Sequence, residues 1–390
     1  MVRVFVCVCL TMIGLRATMA EDEFVASVHL RGGFDTNPQF LPGPNSGRTA
    51  FIGTDAALAA GTKQDGYSYG VVAEAGTTQY SNSDVVPSMS GKVVLRGLLG
   101  DDNANVSSTT TIGDTNSYNL RSSDLIQTSK GEVRVGSFKL FASAEGARSS
   151  LNQTNVIFQD FLPNPQQYLR GTVIPGVSFV KDKFEIGASV NLSVRRYLEE
   201  FDDFGYRRDN ERVQPFLFAK YGSADFSAFG AISYLRGTWH DVDFTNVREV
   251  LFDTNLTWRI APFTIDLKAA RSAGETTFPI SPITIDTIYS GKVAWQVDPK
   301  WTLTAAAGYA ITKYLDSPFK AQTATYGVGL SHDLGNGYAL GLDLTRAQGT
   351  LISGDKADGT IISSSITKKF SPFAKDETDS RAMPVLASKG

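Results

Sequence analysis

His240 stands beside Asp241 and two residues before Asp243, in a polar stretch of the chain. A histidine oriented by a carboxylate can act as a general base toward water, provided its geometry puts it within hydrogen-bond reach of the proton. Asp202 and Asp203 would supply further carboxylates from a separate polar link. A hydrolase with a His240–Asp rim site is therefore the enzymatic alternative. Against it stands a plain surface histidine in a solvated loop, which the absence of any spacing that fixes these groups favours. His332 falls between Leu330 and Leu334 on an apolar face, and His29 has no evident partner. Three scattered histidines do not make a zinc site. No Gly-x-Ser-x-Gly elbow or phosphate-cradling loop occurs. The expectation is no enzyme, no metal and no cofactor.

A second set of polar residues is dispersed rather than clustered. Glu185, Asn191, Arg195, Asp253, Arg259, Asp266, Lys268, Asp286, Lys292 and Asp343 each adjoin at least one apolar residue. Between Lys183 and Arg196, the residues Phe184, Ile186, Ala188, Val190, Leu192 and Val194 alternate with polar or small ones. Period two is the signature of a strand, whose successive side chains point to opposite faces. The same alternation runs through 250–260, 263–268, 301–311 and 338–345. In 283–297, Ile283, Ile285, Tyr289, Val293, Trp295 and Val297 are expected on one face.

The connections alternate as well. Tight turns are expected at Gln64-Asp65-Gly66, Gly136-Ser137, Lys181-Asp182, Tyr221-Gly222-Ser223, Ala261-Pro262, Asp298-Pro299-Lys300 and Gly335-Asn336-Gly337. Longer polar links lie at 198–205, 239–245, 272–281, 315–319 and 351–358. Short turns at one end and long loops at the other are what a transmembrane barrel shows. A soluble β-sandwich, and hence a soluble periplasmic β-protein, also alternates. Three features favour the membrane: strands of 13–16 residues, aromatics at strand ends beside the tight turns, and few prolines from 183 to 350. The prediction is an all-β fold, a single antiparallel transmembrane barrel of about eighteen strands. Segment 99–130 is rich in Ser, Thr, Asn and Asp, with little alternation. If 103–112 and its partner were loop, the count would fall to sixteen.

Residues 1–20 read as a signal peptide: Arg3, the short apolar run Val4–Leu15, then Thr18-Met19-Ala20. Both cysteines, Cys7 and Cys9, lie there, so the mature chain would form no disulfide. Loss of Arg3 and Arg16 moves the net charge from −3 to −5, which argues against a nucleic-acid partner. The mean hydropathy of −0.11 suits a wall in which only alternate residues meet lipid. The barrel is expected over 21–370, and the polar tail 371–390 as a disordered periplasmic extension.

The first strand ends in Gly32-Gly33-Phe34-Asp35-Thr36-Asn37-Pro38. This resembles the N-terminal signature of the beta-barrel porin-2-like outer-membrane proteins of proteobacteria. The resemblance implies an outer-membrane barrel and, in some members, an association with exopolysaccharide production or export. Physically, Asp35 and Asn37 suit a side-chain-capped turn before Pro38.

A barrel of sixteen to eighteen strands encloses a watery lumen. The ten dispersed polar residues above are then lumen-lining candidates, in a bacterial outer-membrane protein passing small solutes or serving exopolysaccharide export. Its partners would be outer-membrane lipid and a small solute or polysaccharide. Residues 151–165, more apolar than the other long links, could fold inward as a constriction or pack at the rim.

Overall fold

A computed structural model describes residues 22–43, 47–118, 120–153 and 164–370. Residues 1–21 and 371–390, where a signal peptide and a polar tail are expected, and most of the 151–165 link lie outside the described residues. Eighteen strands follow in chain order: β1 Asp22–Asp35, β2 Thr49–Gln64, β3 Tyr67–Tyr80, β4 Ser88–Gly100, β5 Ala104–Ser117, β6 Leu120–Val135, β7 Phe138–Gln153, β8 Gln166–Lys181, β9 Phe184–Tyr197, β10 Asn210–Gly222, β11 Phe226–Trp239, β12 Val247–Ile260, β13 Phe263–Gly274, β14 Thr284–Gln296, β15 Trp301–Tyr314, β16 Lys320–Gly335, β17 Tyr338–Thr350 and β18 Lys356–Phe370. Each pairs antiparallel with the next, and β1 pairs with β18 from Ala26↔Phe370 to Asp35↔Ile361. The sheet closes on itself, so no row of N–H and C=O groups faces hydrocarbon unpaired.

The alternation sets which face is which. In β9, Phe184, Ile186 and Leu192 are exposed outward. In β17, Tyr338, Leu340, Leu342 and Leu344 are exposed in the same way. These side chains alternate with polar and small residues that face the interior, and lipid is the medium that takes them up.

At the short-turn end the outward aromatics form the expected girdle. Phe138 meets Phe179 edge-on at 5.6 Å, and Phe263 stacks on Trp295 at 5.9 Å. Trp301 stacks on the His332 ring at 4.1 Å, which places that histidine in the belt. Rings with an apolar body and a polar edge favour this interface. The turns that close this end are tight, as at 335–337, where Gly335, Asn336 and Gly337 all adopt positive φ. A Cβ on Gly337 would lie 2.4 Å from the Lys369 carbonyl oxygen, so only glycine fits there.

The polar segment 99–130 forms strands after all. β5 and β6 pair from Ala104↔Val133 to Ser117↔Leu120, which settles the count at eighteen. Ladder hydrogen bonds need no apolar side chains, so this hairpin forms without a clear alternation signal. Its link at 118–119 is short, although it lies at the long-loop end.

At that end the β1–β2 loop is tied down by the motif that closes β1. Asp35 accepts from the Asn37 backbone N–H at 2.8 Å, the capped turn expected from the sequence. The Asn37 amide then donates to Leu41 O and, across the barrel seam, to Asp358 O.

Candidate functional site

The link between β13 and β14, residues 275–283, leaves the wall. β12 and β13 pair only as far as Phe252↔Arg271, whereas β13 and β14 stay paired to Gly274↔Thr284. Above that point the β13–β14 hairpin is free of its β12 neighbour and leans into the lumen. Ile285 shares parity with outward Tyr289 and Trp295, yet it is fully buried. It packs with Leu235, Trp239 and Leu251, which have the parity of the inner face. This corrects the expectation that Ile283 and Ile285 continue the lipid-facing row. Where the hairpin bends inward, its outer face becomes a seal against the inner face of the adjoining β11–β12 wall.

Arg208, just before β10, holds the tip. Its Nη1 donates to the carbonyls of Thr276 and Ser281 at 3.0 Å each, and its Nη2 to Phe278 O at 2.8 Å. Its Nε donates to Asp202 Oδ2 at 2.7 Å, and neither side chain is more than 4% exposed. Asp202 Oδ1 meanwhile caps the β9–β10 loop by accepting from the Phe204 and Tyr206 amides. From β7, Gln153 exchanges hydrogen bonds with Thr276 and Thr277. Phe278 lies against Tyr314 and Phe319 on the other flank. The tip thus spans from β14–β16 to β7–β10 across the mouth.

Glu275 anchors the tip's first residue. Its Oε1 is 2.7 Å from Arg195 Nε and 2.8 Å from Arg212 Nη2, and Oε2 accepts from the Tyr197 hydroxyl at 3.3 Å. Burial pushes the Glu275 carboxyl up. The two guanidinium groups and the hydrogen bonds from Arg212 and Tyr197 outweigh that, so it titrates below the ordinary glutamate range. Arg212 is held in turn by Asn210 Oδ1 at 2.8 Å and by the Trp239 ring.

Further toward the short-turn end, Glu185 meets Lys139 at 2.6 Å and accepts from Ser178 at 2.7 Å. Between the two charged clusters, the Phe141 ring lies over Gly176 and the Phe218 ring over Gly187. A Cβ at either glycine would stand 2.3 or 2.5 Å from the ring. These glycines let aromatic side chains lie flat on the inner wall.

Of the dispersed polar candidates, the structure brings Arg195 into the Glu275 cluster and Glu185 into the Lys139 cluster. Asp266, in register with Lys292, accepts from Thr257 at 2.7 Å, and with Lys268 the three border one concavity of about 480 Å³. Asp286 accepts from Thr312 at 2.6 Å. Asp253 accepts weakly from Asn255 at 3.3 Å, and Arg259 donates to Ala224 O. Asn191 is set opposite Gln214, and Asp343 opposite Gly329. These stay separate along the wall. Sequence reasoning missed Glu275, Arg208, Asp202 as a latch, and Arg212. The two prolines and Phe278 inside a long polar link were the available signal.

The His240–Asp site is not assembled. Asp241 accepts from the Arg207 and Asp243 amides, and Asp203 accepts from Asn164. His240 lies 3.9 Å from Glu211, a carboxylate already engaged by Arg196. Among the described residues no group of three or more His, Cys, Asp or Glu is placed to hold a metal ion.

Residues 177–367 match the family model described as "Putative beta-barrel porin 2". No curated protein matches the sequence. Among solved structures, OccAB3 of Acinetobacter baumannii is similar at 8% identity and a TM-score of 0.47, covering 90% of this chain and 100% of that one. OpdK of Pseudomonas aeruginosa aligns at 11% identity and 0.46, covering 89% and 99%. OccK2 of Pseudomonas aeruginosa, solved with glucuronate, aligns at 9% and 0.49, covering 91% and 98%. The chain is a porin-like β-barrel of the bacterial outer membrane, carrying the beta-barrel porin 2 pattern across the second half of its wall.

Proposed function

We propose that this barrel passes small polar solutes across the outer membrane without chemistry, through a lumen narrowed by the 275–283 tip. The observation that carries the reading is the inward hairpin itself. It is held by one buried arginine acting on several backbone carbonyls and by one carboxylate between two arginines. Such an arrangement costs the burial of charge, and its return is a fixed constriction with charged walls. The dispersed polar residues, with Glu185 and Lys139 below the tip and Asp266, Lys268 and Lys292 opposite, would border the water path. Neighbouring charges of both signs there set a transverse field that favours small, polarisable or zwitterionic solutes over bulky ones.

Purified protein in planar lipid bilayers tests this. Stepwise conductance is expected, with current rising when the tip is released. A bilayer that stays silent at high protein loading would overturn the proposal.

A further inference from the structure

The outward face of β5–β6 does not look like a surface for lipid. Even-numbered residues of β5 and odd-numbered residues of β6 point outward, as the exposed Val106, Ile112, Leu125 and Val133 show. Between these apolar points stand Ser108, Thr110, Gln127 and Ser129, in register as Ser108↔Ser129 and Thr110↔Gln127. Gln127 donates to Ser108 at 2.8 Å, and Thr110 bonds to the same amide group. Nearer the long-loop end, Asp114 and Arg121 are exposed on this face. By contrast, β17 presents Tyr338, Leu340, Leu342 and Leu344 outward. The Gln127 amide also donates to Thr128 O at 3.4 Å, and hydrocarbon offers no donor for the oxygen lone pairs that remain on this mid-wall stripe.

A second observation is independent of the first. β4, β5 and β6 contain no Phe, Tyr or Trp. The aromatic girdle present on either side, Tyr67 and Tyr69 on β3 and Phe138 on β7, stops across these three strands. Interfacial aromatics mark where a wall meets the lipid boundary. Their absence beside a polar outward stripe marks a wall that does not meet it.

We propose that the β5–β6 face is the surface through which two copies of this chain associate in the membrane. The face is self-complementary. A two-fold axis along the membrane normal, the symmetry open to two copies inserted in the same direction, sets β5 of one against β6 of the other. Asp114 then faces the partner's Arg121 within two residue steps of the same depth. Thr110 faces the partner's Gln127, so donors meet acceptors. One acid and one base leave the face neutral, as a surface meeting its own copy requires.

The test uses the full chain in native outer membranes. Thr110→Cys and Gln127→Cys variants, differently tagged, are co-expressed and mildly oxidised. A disulfide-linked pair carrying both tags is expected, and none when either is paired with Leu342→Cys. Gently extracted wild-type protein is expected at the mass of two copies. The combined variant Ser108→Leu/Thr110→Val/Gln127→Leu/Ser129→Leu is expected at the mass of one, while still migrating as a folded, heat-modifiable barrel. The proposal is overturned if Thr110→Cys and Gln127→Cys cross-link no better than the Leu342→Cys control. It is equally overturned if the wild type runs as a single copy, or if the cysteine variants cross-link only to a different protein.

Discussion

Arg208 donates to Asp202 across 2.7 Å, and water reaches neither side chain appreciably. The pair does two jobs through different atoms. Asp202 uses its second oxygen to fix the β9–β10 loop, and Arg208 uses its remaining N–H groups to hold the carbonyls of the 275–283 tip. One ion pair therefore couples two loops that are far apart in sequence.

Removing one member leaves the other buried and uncompensated, which costs about 3–5 kcal/mol in comparable sites. Arg208→Ala should release the tip without opening the barrel wall. Expected is a larger and noisier single-channel current, with heat-modifiable migration retained. An unchanged current trace would show that the tip does not constrict the path.

The Glu275 cluster predicts a pH response with a definite sign. The folded carboxyl titrates below its ordinary value. Its stabilisation of the tip is thus complete above the usual glutamate pKa of about 4.3, and is lost as pH falls through the lower folded value. Conductance should stay constant from neutral pH down to that range and rise below it. Glu275→Gln should show the raised, noisier conductance already at pH 7 and lose the acid step. A Glu275→Gln channel indistinguishable from wild type at pH 7 would exclude this role.

Gly187 tests the close packing of the inner wall. A methyl group there would meet Phe218 Cζ at 2.5 Å and the Val177 carbonyl oxygen at 2.7 Å, and the second of these is backbone. Gly187→Ala should lower barrel stability by about 1–3 kcal/mol, the usual cost of overpacking. Gly131→Ala, where nothing lies within 4 Å, is the control and should leave stability nearly unchanged. Urea unfolding followed by the loss of heat-modifiable migration measures both.

Asp266 and Lys292 face each other in register beside the same concavity. Neutralising each should move ion selectivity in opposite directions. Asp266→Asn shifts the reversal potential in a salt gradient toward anions, and Lys292→Gln shifts it toward cations. Equal shifts, or none, would remove these residues from the water path.

The wall was legible because alternation is a local property. Phe184 to Val194 announces β9 without reference to any other strand, and the tight turns fix the register of each hairpin. The β5–β6 hairpin was the weak point, because its backbone pairing needs no apolar row and its outward face is polar. The inward tip was harder to see. Which way a loop folds depends on partners distant in sequence, and nothing near Glu275 points to Arg195 or Arg212. The tip that crosses the mouth is mostly polar backbone captured by one arginine, whereas the apolar 151–165 link, expected either to fold inward or to pack at the rim, lies mostly outside the described residues. Ile285 was read correctly as strand and wrongly as lipid contact, since parity gives a face but not the medium it meets, and Ile283 falls one residue before β14.

The seam between β1 and β18 joins Ala26 to Phe370, close to the two ends of the barrel. The cylinder has no closed form until its last strand is delivered. A chain stopped before Lys356 would present two unsatisfied edges, on β1 and β17, and either would template pairing with another unfinished chain. Correct assembly therefore depends on keeping the second edge of β1, the one not taken by β2, unpaired until β18 arrives. The fold itself supplies no earlier stopping point, so the interval before closure is the one in which an incomplete chain is most exposed to wrong pairing.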